Sequence, residues 1–183
     1  MSNRQKHAMI DRRTLIAASA ASLAAPAIGA TAPGANAMPS RYDQFRAVID
    51  LWQKKDAPAV LAHMTDDIVW HMAATAKPPL IGKPAAAKFL AAFGANISDK
   101  PGAIRWRIIH HAETADRLFV EGVDEYDDVS GRTITAPYVG VIEFRGDKIA
   151  GWRDYVDYGT IDAQRRGEPL PAHVSELANR KAS

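Results

Sequence analysis

The chain has 183 residues, of which 47% are apolar and 24% are charged, and this composition excludes the disordered and fibrous classes of protein. It contains no cysteine, which excludes disulfides, thiolate nucleophiles and cysteine metal sites. The formal net charge is +2, and a chain of this size is expected to form one compact domain.

Residues 1–37 have the form of an export signal. Basic residues precede an apolar stretch from Leu15 to Ala30, and the segment ends in an A-x-A pattern at residues 35–37. Because this stretch is rich in alanine and contains Pro26, it is too weakly apolar to predict a permanent membrane span. The run DRRTLI, Asp11 to Ile16, resembles a twin-arginine translocation signal, and the resemblance implies a periplasmic or secreted protein.

The surplus of positive charge belongs to this signal. Residues 1–37 hold four of the 23 basic residues and one of the 21 acidic ones, so the remaining chain has 19 against 20. A nearly neutral chain argues against nucleic acid as a partner, because phosphate binding needs a surplus of lysine and arginine.

The first half of the remaining chain has helical periodicity. Apolar residues recur at steps of three and four from Arg41 to Met64, with a break near Asp56, and Ser40 is a suitable N-cap. A short strand is expected over Asp66–Met72, and a third helix over Pro84–Phe93 begins with proline in its first turn.

The second half is rich in β-branched and aromatic residues. Short turns separate four runs, which predict an antiparallel meander: Ile104–Glu113, Arg117–Asp127, Arg132–Phe144 and Lys148–Tyr158. The expected fold class is α+β, with three N-terminal helices on one face of a curved antiparallel sheet. The predicted organisation is an export signal over 1–37, a domain over 38–165 and a loosely held polar tail over 166–183.

Two aspartates occupy strand positions that otherwise look internal. In GWRDYVDYG, alternation places Asp154 on the same face as Trp152 and Val156, and in FVEGVDEYDD it groups Asp124 with Tyr126. A carboxylate in an apolar pocket is unfavourable unless it is paired or serves a function. Two carboxylates facing one cavity would separate into an acid and a base near neutral pH, which predicts general acid/base catalysis without a cofactor.

A structural role is the alternative for both aspartates. In that case each carboxylate would bond a backbone amide, a tyrosine hydroxyl or an arginine, with Arg105, Arg107 and Arg153 as the available cations. No glycine-rich phosphate loop, nucleophile elbow or nucleotide fingerprint occurs in the sequence, so no cofactor is expected. The histidines and carboxylates lack metal-ligand spacing, so no metal is expected either.

The run YVGVIEFRGDKIAGWRDYVDY, Tyr138 to Tyr158, resembles the last hairpin of limonene-1,2-epoxide hydrolases. The runs DDIVWHM and LIGKPAAAKFLAAF are similar to the wider SnoaL-like group, and the order of elements is similar to the cone-shaped fold of nuclear transport factor 2 (NTF2). The resemblance implies that Asp154, in the WRDY motif, is catalytic with Asp124 as its partner. It also implies a homodimer through the outer sheet face, with Arg153, Tyr155 and Asp157.

The match departs from the epoxide hydrolase pattern at three positions. Gly122 stands where the hydrolases have an arginine, and Trp70 and Met72 stand where a tyrosine and an asparagine hold the water. These changes favour isomerase, cyclase or lyase chemistry, which needs only a proton taken and returned, over direct hydrolysis.

His71 is a further candidate for the general base. The parity that the resemblance implies turns Trp70 and Met72 inward and His71 outward, whereas a shift of one residue reverses this. Aromatic residues are expected to line a pocket for a hydrophobic substrate, with Trp70, Met72, Tyr126, Tyr138 and Trp152 in contact with it.

The sequence therefore predicts an exported, cofactor-independent enzyme that acts on a small hydrophobic molecule. Epoxide hydrolysis and isomerase, cyclase or lyase chemistry both remain open. A non-catalytic module that binds a ligand or dimerises is the alternative outside the enzymes, because this fold serves both purposes.

Overall fold

The computed structural model describes residues 39–181, so the predicted export signal lies outside the described part of the chain. The elements are α1 (Arg41–Trp52), α2 (Ala57–Ala62), β1 (Met64–His71), β2 (Leu80–Ile81), α3 (Gly82–Ala95), β3 (Arg107–Glu113), β4 (Arg117–Asp127), β5 (Thr133–Arg145), β6 (Lys148–Val156), α4 (Tyr158–Arg165) and α5 (Ala172–Ala178). This α+β order confirms three helices before the long strands.

The strands form one curved, unclosed sheet in the order β2-β1-β6-β5-β4-β3. The long strands β3 to β6 pair antiparallel, as expected for a meander. β1 pairs parallel with β6, so the prediction of a purely antiparallel sheet is wrong for this pair. A parallel pair needs a long connection, and here the whole of α3 to β5 supplies it.

The helices α1 and α3 pack on the concave face of the sheet. In α1 the predicted periodicity buries Phe45, Val48, Ile49 and Trp52, and the hydroxyl of Ser40 accepts a hydrogen bond from the Asp43 amide at 3.0 Å, as an N-cap should. The α1 and α3 side chains and the inward side chains of the strands form one apolar core.

The structure differs from the sequence prediction at the C-terminal end. β6 ends at Val156, because Asp157 caps α4 by accepting from the Gly159 and Thr160 amides. The described part of the segment that the sequence predicts as a loosely held tail, residues 166–181, contains a packed helix. Its helix α5 buries Ala178 in a second apolar cluster with Ile109 and Val123.

Candidate active site

A cavity of about 270 Å³ lies between the concave face of the sheet and the helices. Apolar and aromatic side chains form most of its wall, which is typical of a site for a hydrophobic small molecule. The strands and the residues next to their ends contribute Trp70, Met72, Trp106, Asp124, Tyr126, Ala136, Tyr138, Trp152, Asp154 and Val156, and the helices contribute Phe89, Leu90, Phe93, Tyr158 and Arg165, among others. Both predicted aspartates and all five predicted substrate-binding residues therefore face one cavity.

Asp154 lies on β6, where its carboxylate accepts a hydrogen bond from the indole nitrogen of Trp152 at 2.8 Å. The pKa of Asp154 is raised to about 7, mainly by burial and to a smaller extent by the charge of Asp124, against the opposing effect of the indole N–H groups of Trp152 and Trp70. Trp70 Nε1 makes no well-formed hydrogen bond within the described residues. A carboxyl group with this pKa can exchange a proton near neutral pH.

Asp124 lies on β4, and its Oδ1 atom is buried without a hydrogen-bond partner in the described chain. Burial raises the pKa of Asp124 to about 7, with a smaller contribution from the charge of Glu125. The arginines that could have paired with the two aspartates bond elsewhere. Arg105 pairs with Glu125 and Asp127, Arg153 pairs with Glu143, and Arg107 donates to the Ala178 carbonyl.

Tyr138 lies beside Asp154, and Gly140 lies between their side chains. Gly140 comes two residues after Tyr138 on β5 and pairs with Asp154 on β6. A Cβ atom on Gly140 would lie 3.1 Å from the Tyr138 ring and 3.2 Å from Asp154 Oδ1. The Tyr138 hydroxyl accepts a hydrogen bond from Trp106 Nε1 at 2.7 Å, so its own proton is available to a ligand. Burial raises the pKa of Tyr138 well above its ordinary value, which keeps this hydroxyl protonated.

Gly122 is required by the position of Tyr138. A Cβ atom there would lie 2.6 Å from the Arg107 carbonyl oxygen and 2.7 Å from the Tyr138 ring. The arginine of the epoxide hydrolase motif therefore has no room at this position.

Six aromatic residues contact one another in succession around the cavity. The ring stacks and edge contacts have centroid distances between 4.7 and 5.8 Å and run from Trp106 through Trp152, Trp70, Phe89 and Phe93 to Tyr126. All six of these residues line the cavity. Their flat faces suit a ring-containing ligand.

His71, the further candidate for the general base, lies on the other face of the sheet from the cavity. His71 pairs with Arg153, on the outer face of the sheet, and does not contribute to the cavity wall. The reason is strand parity, because Trp70 and Met72 point inward and the residue between them points outward.

Arg165 is the site residue that the sequence did not reveal. It comes from the last turn of α4, lines the cavity and donates to the Tyr126 hydroxyl at 2.8 Å. The segment YGTIDAQR gives little apolar periodicity, and only the packing of α4 against β5 brings this cation to the site. Within residues 39–181, no cluster of histidine and carboxylate side chains could hold a metal ion. No helix in the same range is long and apolar enough to cross a membrane.

A family of SnoaL-like domains matches residues 45–152, and the chain belongs to this family. Among curated proteins, none matches the sequence significantly. A proposed SnoaL-like polyketide cyclase from Shewanella putrefaciens is similar in structure, with a TM-score of 0.60 and 15% identity over 72% of this chain and 100% of that chain.

Two further structures have the same fold. An LEH-like epoxide hydrolase from M. tuberculosis has a TM-score of 0.56 and 20% identity over 73% of this chain and 94% of its own. A ketosteroid isomerase-like protein from Catenulispora acidiphila, solved with trimethylamine, has a TM-score of 0.59 and 18% identity over 70% of this chain and 95% of its own. The fold is therefore the NTF2-like fold that the sequence predicts.

Proposed function

We propose that this protein is a cofactor-independent enzyme that isomerises or cyclises a small hydrophobic molecule by moving a proton between carbon atoms. The observation that carries the proposal is the pair of aspartates in one apolar cavity, both with a pKa of about 7. Such a pair holds an acid and a base together at neutral pH.

In the proposed reaction, ionised Asp154 removes a proton from a carbon next to a substrate carbonyl. The electron pair moves onto the carbonyl oxygen, which becomes an enolate, and Tyr138 donates a hydrogen bond to it. The neutral Asp154 then returns the proton to a different carbon. In the cyclisation, the enolate carbon instead attacks a second carbonyl and closes a ring, and Asp154 gives its proton to the alkoxide that forms. Asp124 keeps Asp154 basic by raising its pKa.

Epoxide hydrolysis is the second candidate, and the WRDY motif around Asp154 favours it. One neutral aspartic acid would protonate the epoxide oxygen while the other carboxylate takes a proton from the attacking water, giving a diol. The site offers epoxide hydrolysis less support, because Gly122 leaves no space for an arginine. Trp70 and Met72 also occupy the two positions at which the hydrolases have the residues that hold the water.

The test compares the two reactions on the same protein. Hydrophobic ketones with exchangeable C–H groups are incubated in deuterium oxide, and cyclic and aryl epoxides are incubated in oxygen-18 water, with product masses measured for both. We expect deuterium incorporation by the wild type and a loss of at least 100-fold in Asp154→Asn, because the base is removed.

Asp147→Asn is the matched control, since Asp147 is exposed in the turn between β5 and β6. It should retain full exchange. Diols that carry one heavy oxygen would support the hydrolase instead. Equal exchange by the wild type and by Asp154→Asn would contradict proton-transfer catalysis and favour a ligand-binding module.

We also infer that the protein is exported through its twin-arginine-type signal. The supporting pattern is confined to residues 1–37. Replacing Arg12 and Arg13 by lysine should leave the full-length chain in the cytoplasm, whereas the unchanged protein should appear in the periplasm with residues 1–37 removed. An unprocessed wild-type chain in the cytoplasm would contradict export.

A further inference from the structure

A second cavity of about 260 Å³ adjoins the first, and Arg165 lies where the two meet. We call the cavity that holds Asp124 and Asp154 the inner chamber, and the second one, lined by Phe93, Asn96, Tyr126, Asp128, Val129 and Arg165, the outer chamber. Phe93, Asn96, Tyr126 and Arg165 line both chambers. A molecule that extends from the inner chamber into the outer chamber therefore passes the guanidinium group.

Arg165 is held in place by aromatic residues more than by a carboxylate. Its Nη2 atom donates to the Tyr126 hydroxyl at 2.8 Å, and its guanidinium carbon lies 5.8 Å from the centre of the Tyr158 ring. The ion pair with Asp162 is long, at 3.5 Å, and both side chains are more than a third exposed. A guanidinium group has five N–H donors, and Tyr126, Tyr158 and Asp162 accept from three of them, so two remain for a ligand.

The electrostatic character of the passage differs from that of the inner chamber. Arg165 is the only positive side chain that lines either chamber in the described part of the chain. Lys77 is nearby, with its Nζ atom 4.7 Å from the centre of the Tyr158 ring. The Asp128 carboxylate in the outer chamber is occupied by the amides of Ser130 and Arg132. Burial and neighbouring carboxylates set the pKa of Asp124 and Asp154, so Arg165 does not serve to keep them ionised.

We propose that Arg165 binds an acidic group at one end of the substrate, which is an elongated molecule with an apolar ring system in the inner chamber and a carboxylate or ionised enol at the passage. A planar guanidinium matches such a group with two parallel hydrogen bonds. This inference rests on the proposed function, because it places the reacting carbon near Asp154. It makes Arg165 a specificity-determining residue that fixes the depth and orientation of the substrate.

The test measures binding of three probes of the same shape and different charge to the full-length protein. The probes are 2-naphthylacetate, 2-naphthylacetamide and 2-(2-naphthyl)ethylammonium, with dissociation constants obtained from quenching of tryptophan fluorescence and by calorimetry. We expect the acid to bind the wild type about tenfold or more tightly than the amide, and the preference to weaken with salt.

Arg165→Gln should abolish the preference for the acid and leave the dissociation constant of the amide within about twofold. Arg165→Lys should keep part of the preference because it keeps the charge. Arg166→Gln is the matched control and should behave as wild type, since Arg166 pairs with Glu168 and does not line the chambers.

Three results would overturn the proposal: failure of the acid to bind the wild type, equal affinity for acid and amide, or a preference that survives in Arg165→Gln. Tightest binding of the ammonium probe would assign the cavity to a cation held by Asp124 and the aromatic rings. The proposed proton transfer is tested separately, by comparing the turnover of the wild type with that of Asp154→Asn. Binding of the naphthyl probes needs no reaction.

Discussion

Burial of Asp154 lowers the stability of the fold at neutral pH, and it gives the cavity a carboxyl group that can exchange a proton there. The unfolded carboxyl has the ordinary pKa of 3.8, whereas burial raises the folded pKa to about 7. Between these values the folded state retains a proton that the unfolded state has lost. The free energy of unfolding therefore falls as pH rises through this window, by up to about 4 kcal/mol for this group.

Asp154→Asn should remove this fall, because an amide does not titrate while its oxygen can still accept from the Trp152 indole. We expect the variant to match the wild type in stability near pH 4 and to exceed it at pH 8, as measured by urea denaturation across that range. Asp147→Asn is the control, because Asp147 is exposed in the turn between β5 and β6 and its replacement should change the free energy of unfolding by less than about 0.5 kcal/mol. An Asp154→Asn protein that is less stable than wild type at pH 8 would assign Asp154 a structural role.

Gly122 marks the residue at which the chain departs most clearly from the epoxide hydrolase motif. Gly122→Ala should lower the free energy of unfolding by about 1–3 kcal/mol, because the new methyl group meets a backbone carbonyl and the Tyr138 ring. Gly94→Ala is the control, since its methyl group would lie 3.6 Å from Trp52 within α3, and it should stabilise by up to about 1 kcal/mol. The denaturation midpoints of both variants measure these changes in stability. An unchanged midpoint for Gly122→Ala would show that the Tyr138 ring can move aside.

The residues of the site could be predicted from the sequence where strand alternation applies. Alternation places Asp124 and Asp154 inside because each stands between apolar residues two positions away. Arg165 could not be predicted in this way. Its environment depends on the packing of a short polar helix, which has no periodic signal of its own.

Helix α4 is the element that completes the site, and Gln164 attaches it to the sheet. The last residues that pair between β5 and β6 are Tyr138 and Val156. Thr135 of β5 therefore has no partner on β6. The buried side chain of Gln164 makes the backbone hydrogen bonds with Thr135 that a neighbouring strand would otherwise make. Its oxygen accepts from the Thr135 amide and its nitrogen donates to the Thr135 carbonyl, both at 2.9 Å.

Gln164→Met should lower the free energy of unfolding by about 2 kcal/mol or more, because the buried Thr135 amide and carbonyl lose their partner. Gln53→Met is the control. Gln53 is exposed and makes one side-chain hydrogen bond, to the Trp106 carbonyl, so its replacement should cost less than about 0.5 kcal/mol. Urea denaturation of both variants measures the effect, and equal stabilities would mean that Gln164 does not anchor α4.

The elements themselves follow from local sequence patterns, and their pairing follows only in part. Short turns between successive strands dictate the antiparallel pairs of β3 to β6. The parallel pairing of β1 with β6 joins segments that are far apart in the chain, and no local pattern carries its direction. The helix α5 follows two prolines in a segment that the sequence predicts to be a loosely held tail. It nevertheless covers Ile109 and Val123 on the outer sheet face.

At the scale of the whole molecule, the outer sheet face that α5 leaves uncovered is unusually apolar. Val139 and Tyr155 lie directly opposite each other on β5 and β6, and their exposed fractions are 49% and 46%. Phe119 on β4 adds a 42% exposed ring on an adjacent strand. Apolar side chains clustered on one face are typical of a protein interface.

We expect two copies of the chain to associate through this face, which matches the homodimer that the family resemblance implies. Asp157, which the resemblance also places at this interface, uses its side chain to cap α4. In a twofold dimer the same patch meets itself, so a single lysine introduces two charges into one apolar contact. Val139→Lys should therefore sediment as a monomer at micromolar concentration, whereas the wild type should sediment as a dimer.

Val129→Lys provides the control for sedimentation, since Val129 is 67% exposed in the turn after β4 and lies off this face. It should remain a dimer, and a wild-type monomer would contradict the interface. The residues that line the cavity lie on the concave side of the sheet, whereas the apolar patch lies on the convex side. A monomeric Val139→Lys protein should therefore bind 2-naphthylacetate as tightly as the dimer does, and a weaker affinity would mean that the second copy stabilises the passage at Arg165.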